Sequence, residues 1–379
     1  MALIDKKRYT YRDLTIVPGI VSTIDHREEC NTFYYGVMLP LFTAPMNTVI
    51  DENNFEKFEL YSINGILPRT VKLDIRVNYS LEDKWSAYSL LEFENIFCNE
   101  KNLLESKKNI KALIDVANGH MRKIFILVKK AKEIYGNKII IMVGNIANPE
   151  TYERYAEIGV DYIRCGIGAG CGCLSTSNTG VHYPMASLID EIRKVKDKLS
   201  EEEITLNEIA KKKKYVKLPY IVADGGIRNY SDIIKALALG ADFVMVGSVF
   251  SKMLESAAEK RCDTYENFDF TKGKFTCDKF FRWRVDYDNE GLTLGEIKAV
   301  FYGMASREGQ IVLTGKKTKT SEGISKVLRV EYTMQTWVEN FVDYLRSAMS
   351  YTGSKNLEEF KRFTNLVVNS ENAINVVNK

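Results

Sequence analysis

Short apolar runs that end in glycine or small polar residues recur about eight times along the chain, most of them followed by an amphipathic stretch. They are LPLFTAPM at 39–46, NGILPRTV at 64–71, KALIDVANG at 111–119, KIIIMVGNIA at 138–147, VDYIRCGIGAG at 160–170, LPYIVADGG at 218–226, ADFVMVGS at 241–248 and KAVFYGMAS at 298–306. Continuous apolar runs of this length suit strands buried on both faces. Between them, ENNFEKFELYSI, MRKIFILVKKAKEIYG, NPETYERYAEIG, MASLIDEIRKVKDKL and NYSDIIKALALG have helical spacing, several opened by Asn, Asp or Ser and closed by Gly. Eight such βα units over roughly 250 residues predict a closed (β/α)8 TIM barrel, with an open doubly wound sheet as the alternative. The barrel places chemistry at the C-terminal ends of the strands, where Gly, Asn, Asp and Cys concentrate.

Two segments break the rhythm. Residues 195–217 are charge-dense, and 259–297 set aromatic and charged residues ahead of the last run; both read as surface insertions on a single domain spanning 1–379. The lysine run at 211–214 fits a solvated helix end better than a polyphosphate site.

Composition narrows the function. The chain has 379 residues, 45% of them apolar, enough for a full-sized core. A formal charge of +3 is too even to point to nucleic acid or an anionic membrane. No run approaches the ~18 apolar residues of a membrane span, and the charged N-terminus lacks a signal-peptide core, so the expected location is cytoplasmic. The seven cysteines form no even secreted framework, and three scattered histidines leave few ligands for a zinc hydrolase.

The segment from Gly166 to Thr176 holds four glycines in seven positions directly after a strand, then thiols and hydroxyls. Such a backbone bends around an ion or phosphate, and a thiol within it is placed to attack an electrophilic carbon; a glycine-rich turn with incidental cysteines is the competing reading. The Asp224-Gly225-Gly226 and Gly247-Ser248 strand ends fit the phosphate site common in barrels. Asp224 suits ribose hydroxyls or a helix cap equally.

These motifs together resemble the IMP dehydrogenase/GMP reductase family: DVANG (115–119), VGN (143–145), GIGAGCGCLSTSNTGVHYP (166–184), ADGG (223–226), FVMVGS (243–248), FYGMAS (301–306) and SEG (321–323), preceded by YTYRDLTIVPG (9–19) and TAPMNTV (43–49). The resemblance covers nearly the whole chain. It implies a barrel, usually a homotetramer, acting on a purine ribonucleotide with a nicotinamide cofactor. DVANG is the reductase version, the stretch from Ser306 to Ser321 is short for the dehydrogenase flap, and there is no room for a CBS pair. The implied activity is therefore NADPH-dependent reductive deamination of GMP, with IMP dehydrogenase and an inactive nucleotide-binding homologue as alternatives.

By position, the resemblance makes Cys173 the nucleophile, with Ser175 and Glu322 relaying protons. It assigns substrate contacts to Asp224, Gly225, Gly226, Gly247, Ser248, Gly303, Met304, Ala305, Lys319, Ser321 and Gly323. Cofactor contacts fall on Asp115, Val116, Ala117, Arg69, Ser347 and Ser350, and carbonyls of Gly168, Gly170 and Cys173 would hold K⁺. The chain departs from the family pattern at Ala169-Gly170-Cys171, at Asn47 where an aspartate is usual, at Lys319 for an arginine, and at Pro68-Arg69-Thr70.

Overall fold

The computed structural model describes residues 6–99, 107–170, 174–210, 217–262, 297–316, 320–321, 323–371 and 373–374, with backbone alone at 175, 202–210 and 261–262. Its centre is an eight-stranded parallel sheet. In chain order the strands are β2 (Leu41–Thr43), β3 (Ile66–Leu67), β4 (Trp85–Tyr88), β5 (Ile110–Asp115), β6 (Ile139–Ile146), β7 (Tyr162–Cys165), β8 (Tyr220–Asp224) and β9 (Phe243–Val246). Neighbours run β2-β9-β8-β7-β6-β5-β4-β3. The ring closes where Asn64, just before β3, bonds both ways with β2: its N–H donates to Leu41 O (3.1 Å) and its carbonyl accepts from Thr43 N (2.9 Å). The fold is a (β/α)8 TIM barrel, as the βα repetition predicts.

Two apolar layers explain why the strands read as continuous runs. Phe42, Ile66, Trp85, Ala87, Leu113, Met142, Val222, Phe243 and Met245 fill the barrel interior. Alternate residues such as Leu41, Ile114, Val143, Ile163, Ile221 and Val244 point outward and pack beneath the helices. The interior is tapered. Tyr162 at the start of β7 lies against Trp85 and Tyr220, with ring centroids 5.1 Å and 4.9 Å apart, so aromatic rings plug the N-terminal end. At the other end the barrel opens into a cavity lined by polar side chains such as Asp115, Asn145, Arg164 and Asp224.

Seven of the eight predicted strands are barrel strands. The eighth is not. Residues 298–306 contain β11 (Ile297–Tyr302), which pairs antiparallel with β10 (Lys260–Cys262) and β12 (Ser325–Arg329) in a separate three-stranded sheet. Its burial alternates along the strand, the mark of a sheet covered on one face. The missing barrel strand is β4, whose sequence WSAY is short and carries Ser86 and Ala87 where an apolar run is expected, so it gives no periodic signal.

The predicted helices form, and the one opening at Met185 extends to Ala210. Residues 195–210 therefore continue a helix, supported by the Arg193–Asp197 pair at 2.6 Å and by buried Leu199. The lysine run and most of 259–297 lie outside the described residues. Among the described residues no helix is long and apolar enough to cross a membrane. Helix Met334–Thr352 returns to the barrel, Trp337 stacking on Tyr230 at 5.2 Å, and the chain ends with β13 (Asn365–Val368) paired to β1 (Leu14–Val17).

One buried charge cluster secures the base of the barrel. Asp242, just before β9, accepts from Lys196 Nζ (2.7 Å), Ile221 N (2.7 Å) and Lys361 Nζ (2.9 Å). Burial alone would raise its carboxyl, but the two ammonium groups and the amide outweigh burial and hold it down at about 2. The same carboxylate pushes the Lys361 ammonium above its ordinary value against the effect of burial.

Candidate active site

A cavity of about 310 Å³ opens at the C-terminal ends of the barrel strands. Ala44, Pro45 and Met46 after β2, Arg69 after β3, Asp115 to Ala117 after β5, Asn145 in β6, the Gly166 loop after β7, Asp224 to Ile227 after β8, and Gly247 and Ser248 after β9 all line it. The remaining wall comes from outside the barrel. Phe301, Gly303, Met304, Ala305 and Gln310 belong to β11 and the turn and helix that follow it.

The floor is an alternating chain of charges. Arg69 Nε donates to Asp115 Oδ2 (3.1 Å), and Arg164 Nη1 donates to Asp115 Oδ1 (2.6 Å). Arg164 Nε reaches Asp224 Oδ2 (2.8 Å), which also accepts from Asn145 Nδ2 (2.6 Å). Two guanidinium groups thus balance two carboxylates. Arg164 is only 12% exposed; burial works against its charge, but Asp224 and Asp115 outweigh burial and raise its pKa. An arginine so placed does not exchange protons near neutrality, so its work is to hold the two carboxylates as acceptors facing the cavity.

Backbone contacts fix the loops that carry these groups. Asn145 N donates to Val116 O (2.9 Å) and Gly119 N to Asn145 O (2.8 Å), which ties the segment after β5 to the end of β6. His120 adds a clip: its Nε2 accepts from Ala147 N (3.1 Å) and its Nδ1 meets Thr151 Oγ1 (3.0 Å). Burial lowers the His120 pKa, which keeps the ring neutral for that pairing.

The glycine-rich loop lies against the end of β8. Gly166 has φ +135°, and a side chain there would collide with the Asp224 carbonyl. Gly225, with φ +107°, brings its backbone beside Ala169, where a Cβ would sit 2.8 Å from the Ala169 methyl. Gly226 N then donates to Ala169 O (2.8 Å). These glycines serve close approach of two backbones as well as the cavity they line.

The structure brings together Asp224, Gly225, Gly226, Gly247, Ser248, Gly303, Met304 and Ala305 with Asp115, Val116, Ala117 and Arg69, as well as Gly168 and Gly170. Ser321 and Gly323 stand beside that wall: Asn178 Nδ2 donates to Ser321 O (3.2 Å), and Gly303 N to Ile324 O (3.1 Å). Ser321 is thereby tied to the short helix Ser175–Thr179, and Ile324 to the cavity wall. Cys173, Lys319 and Glu322 lie outside the described residues, as does the Ser175 side chain.

Ser347 and Ser350 are placed elsewhere. They sit on helix Met334–Thr352, where Ser347 Oγ accepts from Arg27 Nη1 (3.3 Å) and the Ser350 carbonyl accepts from Ser22 Oγ (2.8 Å). Neither is on the cavity wall, because that face of the helix docks the N-terminal segment. For a cation, the Gly168 carbonyl already accepts from Thr176 Oγ1 (2.9 Å), and among the described residues no three His, Cys, Asp or Glu side chains converge as metal ligands.

Sequence reasoning passed over Arg164, Asn145 and Gln310. Arg164 had a signal, a charge within the otherwise apolar strand YIRC, which burial tolerates only when partners are supplied. Asn145 stood in the quoted VGN motif without a role. Gln310 had no signal at all.

The sequence matches the IMP dehydrogenase / GMP reductase domain over residues 98–376. The chain belongs to the IMP dehydrogenase/GMP reductase family. Its barrel, with a cavity at the strand ends, is the architecture expected of these oxidoreductases. It is similar to the GMP reductase of Buchnera aphidicola subsp. Schizaphis graminum, 26% identical over 389 residues, covering 95% of this chain and 94% of that one. It resembles the GMP reductase of Yersinia pestis at 26% over 346 residues, 87% of this chain and 83% of that one. It also resembles the inosine-5'-monophosphate dehydrogenase of Chlorobaculum parvum at 29% over 267 residues, 70% of this chain but 46% of that one.

Proposed function

We propose that the protein is a GMP reductase, converting GMP to IMP and ammonia at the expense of NADPH. The observation that carries this reading is the cavity built from the DVANG segment, the glycine-rich loop and the FYGMAS turn, with Asp115 and Asp224 both hydrogen-bonded to Arg164 on its floor. The near-complete overlap with the Buchnera reductase supports the reductase branch.

In this reading Asp224 accepts the ribose hydroxyls, and the amides around Gly225, Gly247 and Ser248 face the phosphate. Gly303, Met304 and Ala305, with Ser321 and Gly323, flank the base. The Cys173 thiolate attacks purine C2. Protonation of the amino group through Ser175 and Glu322 breaks the C2–N bond, and ammonia leaves a thioimidate on Cys173. A reduced nicotinamide held by Asp115 to Ala117 and Arg69 would supply the hydride that C2 receives. The C2–S bond then breaks, IMP departs and the thiolate is restored. Covalent attachment replaces one difficult substitution by two easier steps and needs no histidine.

The residues present fit such a cofactor: Asp115 to Ala117 and Arg69 open onto the cavity beside the proposed base site. Ser347 and Ser350 are no part of that surface. No step runs through K⁺, whose ligand set would rest on the Gly168 and Gly170 carbonyls and Cys173. Assembly as a homotetramer and a cytoplasmic location accompany the proposal.

The test is an assay of purified protein with GMP and NADPH against IMP and NAD⁺, followed at the nicotinamide absorbance. Turnover only in the second pair replaces this reading by IMP dehydrogenase, the second reading that the Chlorobaculum relative supports. Cys173→Ala is expected to abolish turnover and retain GMP binding, with Cys171→Ala as the control. Loss in the control alone would move the nucleophile to Cys171.

A further inference from the structure

Asn145 stands outside the ladder of its own strand. Between β6 and β7 the pairing runs Met142 with Tyr162, Val143 with Ile163 and Gly144 with Arg164, then skips a residue, so that Ile146 meets Cys165. A bulge of this kind re-aims a side chain and leaves the strand around it less firmly held. The Asn145 Nδ2 reaches Gly166 O and Asp224 Oδ2, both at 2.6 Å. One bulged residue thus joins the glycine-rich loop to a carboxylate on the cavity floor.

Two residues past the bulge, Ala147 N donates to His120 Nε2 (3.1 Å). A backbone amide can only donate, so Nε2 carries no hydrogen. In the neutral ring the hydrogen is then on Nδ1, which donates it to Thr151 Oγ1 (3.0 Å). Protonation would set a second N–H against the Ala147 N–H and break the hold. Burial alone lowers the His120 pKa from 6.5. The charged groups on the neighbouring elements leave it unshifted: Asp115 is taken by Arg69 and Arg164, Arg122 is exposed, Lys123 pairs with Glu94, and Glu150, Glu153 and Arg154 lie on helix Glu150–Glu157. The neutral ring therefore contributes fully above 6.5 and is lost as pH falls through the lowered value.

We propose that His120 is a positioning residue whose unprotonated Nε2, by holding Ala147, seats the Asn145 bulge and through it the Asp224 carboxylate that receives the nucleotide. The nucleotide role of Asp224 rests on the reductase reading, and His120 deepens it by making substrate affinity depend on the protonation of a ring that touches no substrate.

The test reads tautomer and affinity on the same protein. Wild type labelled with ¹⁵N-histidine is followed by NMR from pH 8 down through the His120 midpoint, the signal assigned by its absence from His120→Gln; a neutral ring protonated at Nδ1 is expected. GMP is titrated calorimetrically over the same range into wild type, His120→Gln and His120→Phe. Glutamine keeps an acceptor and does not titrate, whereas phenylalanine keeps a ring without one. One buried hydrogen bond, felt at the nucleotide through Asn145, gives about a 3- to 10-fold loss of affinity. Phenylalanine should show that loss at pH 8, and glutamine should recover most of it. As pH falls, wild type should weaken relative to glutamine by the same factor, with the midpoint of His120; the ratio cancels protonation of the GMP phosphate itself, whose second pKa is about 6. A ring protonated at Nε2, equal losses in both variants at pH 8, or a wild-type-to-glutamine ratio that stays flat through the His120 midpoint each overturn the assignment. Wild type that binds neither GMP nor IMP at pH 8 overturns the reductase reading and the nucleotide role of His120 with it.

Discussion

Replacing Asp242 by asparagine tests whether the charge cluster under the barrel holds β9 in place. The carboxylate is buried, and it accepts from Lys196, Lys361 and the Ile221 amide at 2.7–2.9 Å. Asparagine keeps the shape and one acceptor but removes the charge, leaving Lys361, itself 3% exposed, with Glu358, 2.7 Å away, as its charged partner. The magnitude follows from the carboxyl. Its value is held down from 3.8 to about 2 by the two ammonium groups and the amide, which corresponds to stability on the order of 2 kcal/mol from the ionised form. A carboxylate with a depressed folded value contributes fully above 3.8 and loses that contribution as pH falls through about 2. Asp242→Asn should therefore lower the unfolding free energy by about 2–3 kcal/mol at pH 7, and by roughly half as much at pH 3. Urea titrations of both proteins at pH 7, 5 and 3, read by tryptophan fluorescence, measure the difference directly. A deficit below about 0.5 kcal/mol at pH 7 would refute the reasoning, because typical surface pairs are worth no more. A deficit that does not shrink at pH 3 would refute it equally, since the loss would then owe nothing to ionisation.

Arg164→Met should cost about 3–5 kcal/mol by calorimetry, because it removes the guanidinium that bridges Asp115 and Asp224. In the same variant kcat/KM for GMP should fall at least tenfold, mainly through KM. Gly166→Ala places a methyl against the Asp224 carbonyl at φ +135°, and a loss of about 2 kcal/mol or more, together with loss of nucleotide binding, is expected by thermal melting and titration. Melting within about 1 °C of wild type would show that the loop relaxes freely.

The barrel was readable because its strands are buried on both faces, which writes them as apolar runs bounded by glycine. The same rule misled at two places. Trp85–Tyr88 is a barrel strand whose centre is Ser86 and Ala87; Ala87 shares the interior with Trp85, Phe42 and Met142, and Ser86 breaks the apolar run on the other face. Ile297–Tyr302 has the right composition but alternates inward and outward, and Lys298 in second position was the visible warning. For the site, glycines and acids at strand ends pointed to the correct mouth, since backbone freedom and charge are local properties. The coupling of Arg164 to acids 49 and 60 residues away, and the seating of Gln310 on Met304, are properties of the closed ring and the docked helix, which no local pattern encodes.

The sheet of β10, β11 and β12 contributes a whole side of the cavity while sharing no strand with the barrel. Scaffold and recognition are therefore written on separate pieces of backbone. Changes in the turn at 303–305 or the helix behind it can reshape the cavity wall without disturbing any barrel register, and the charged floor can stay constant while its roof is rebuilt.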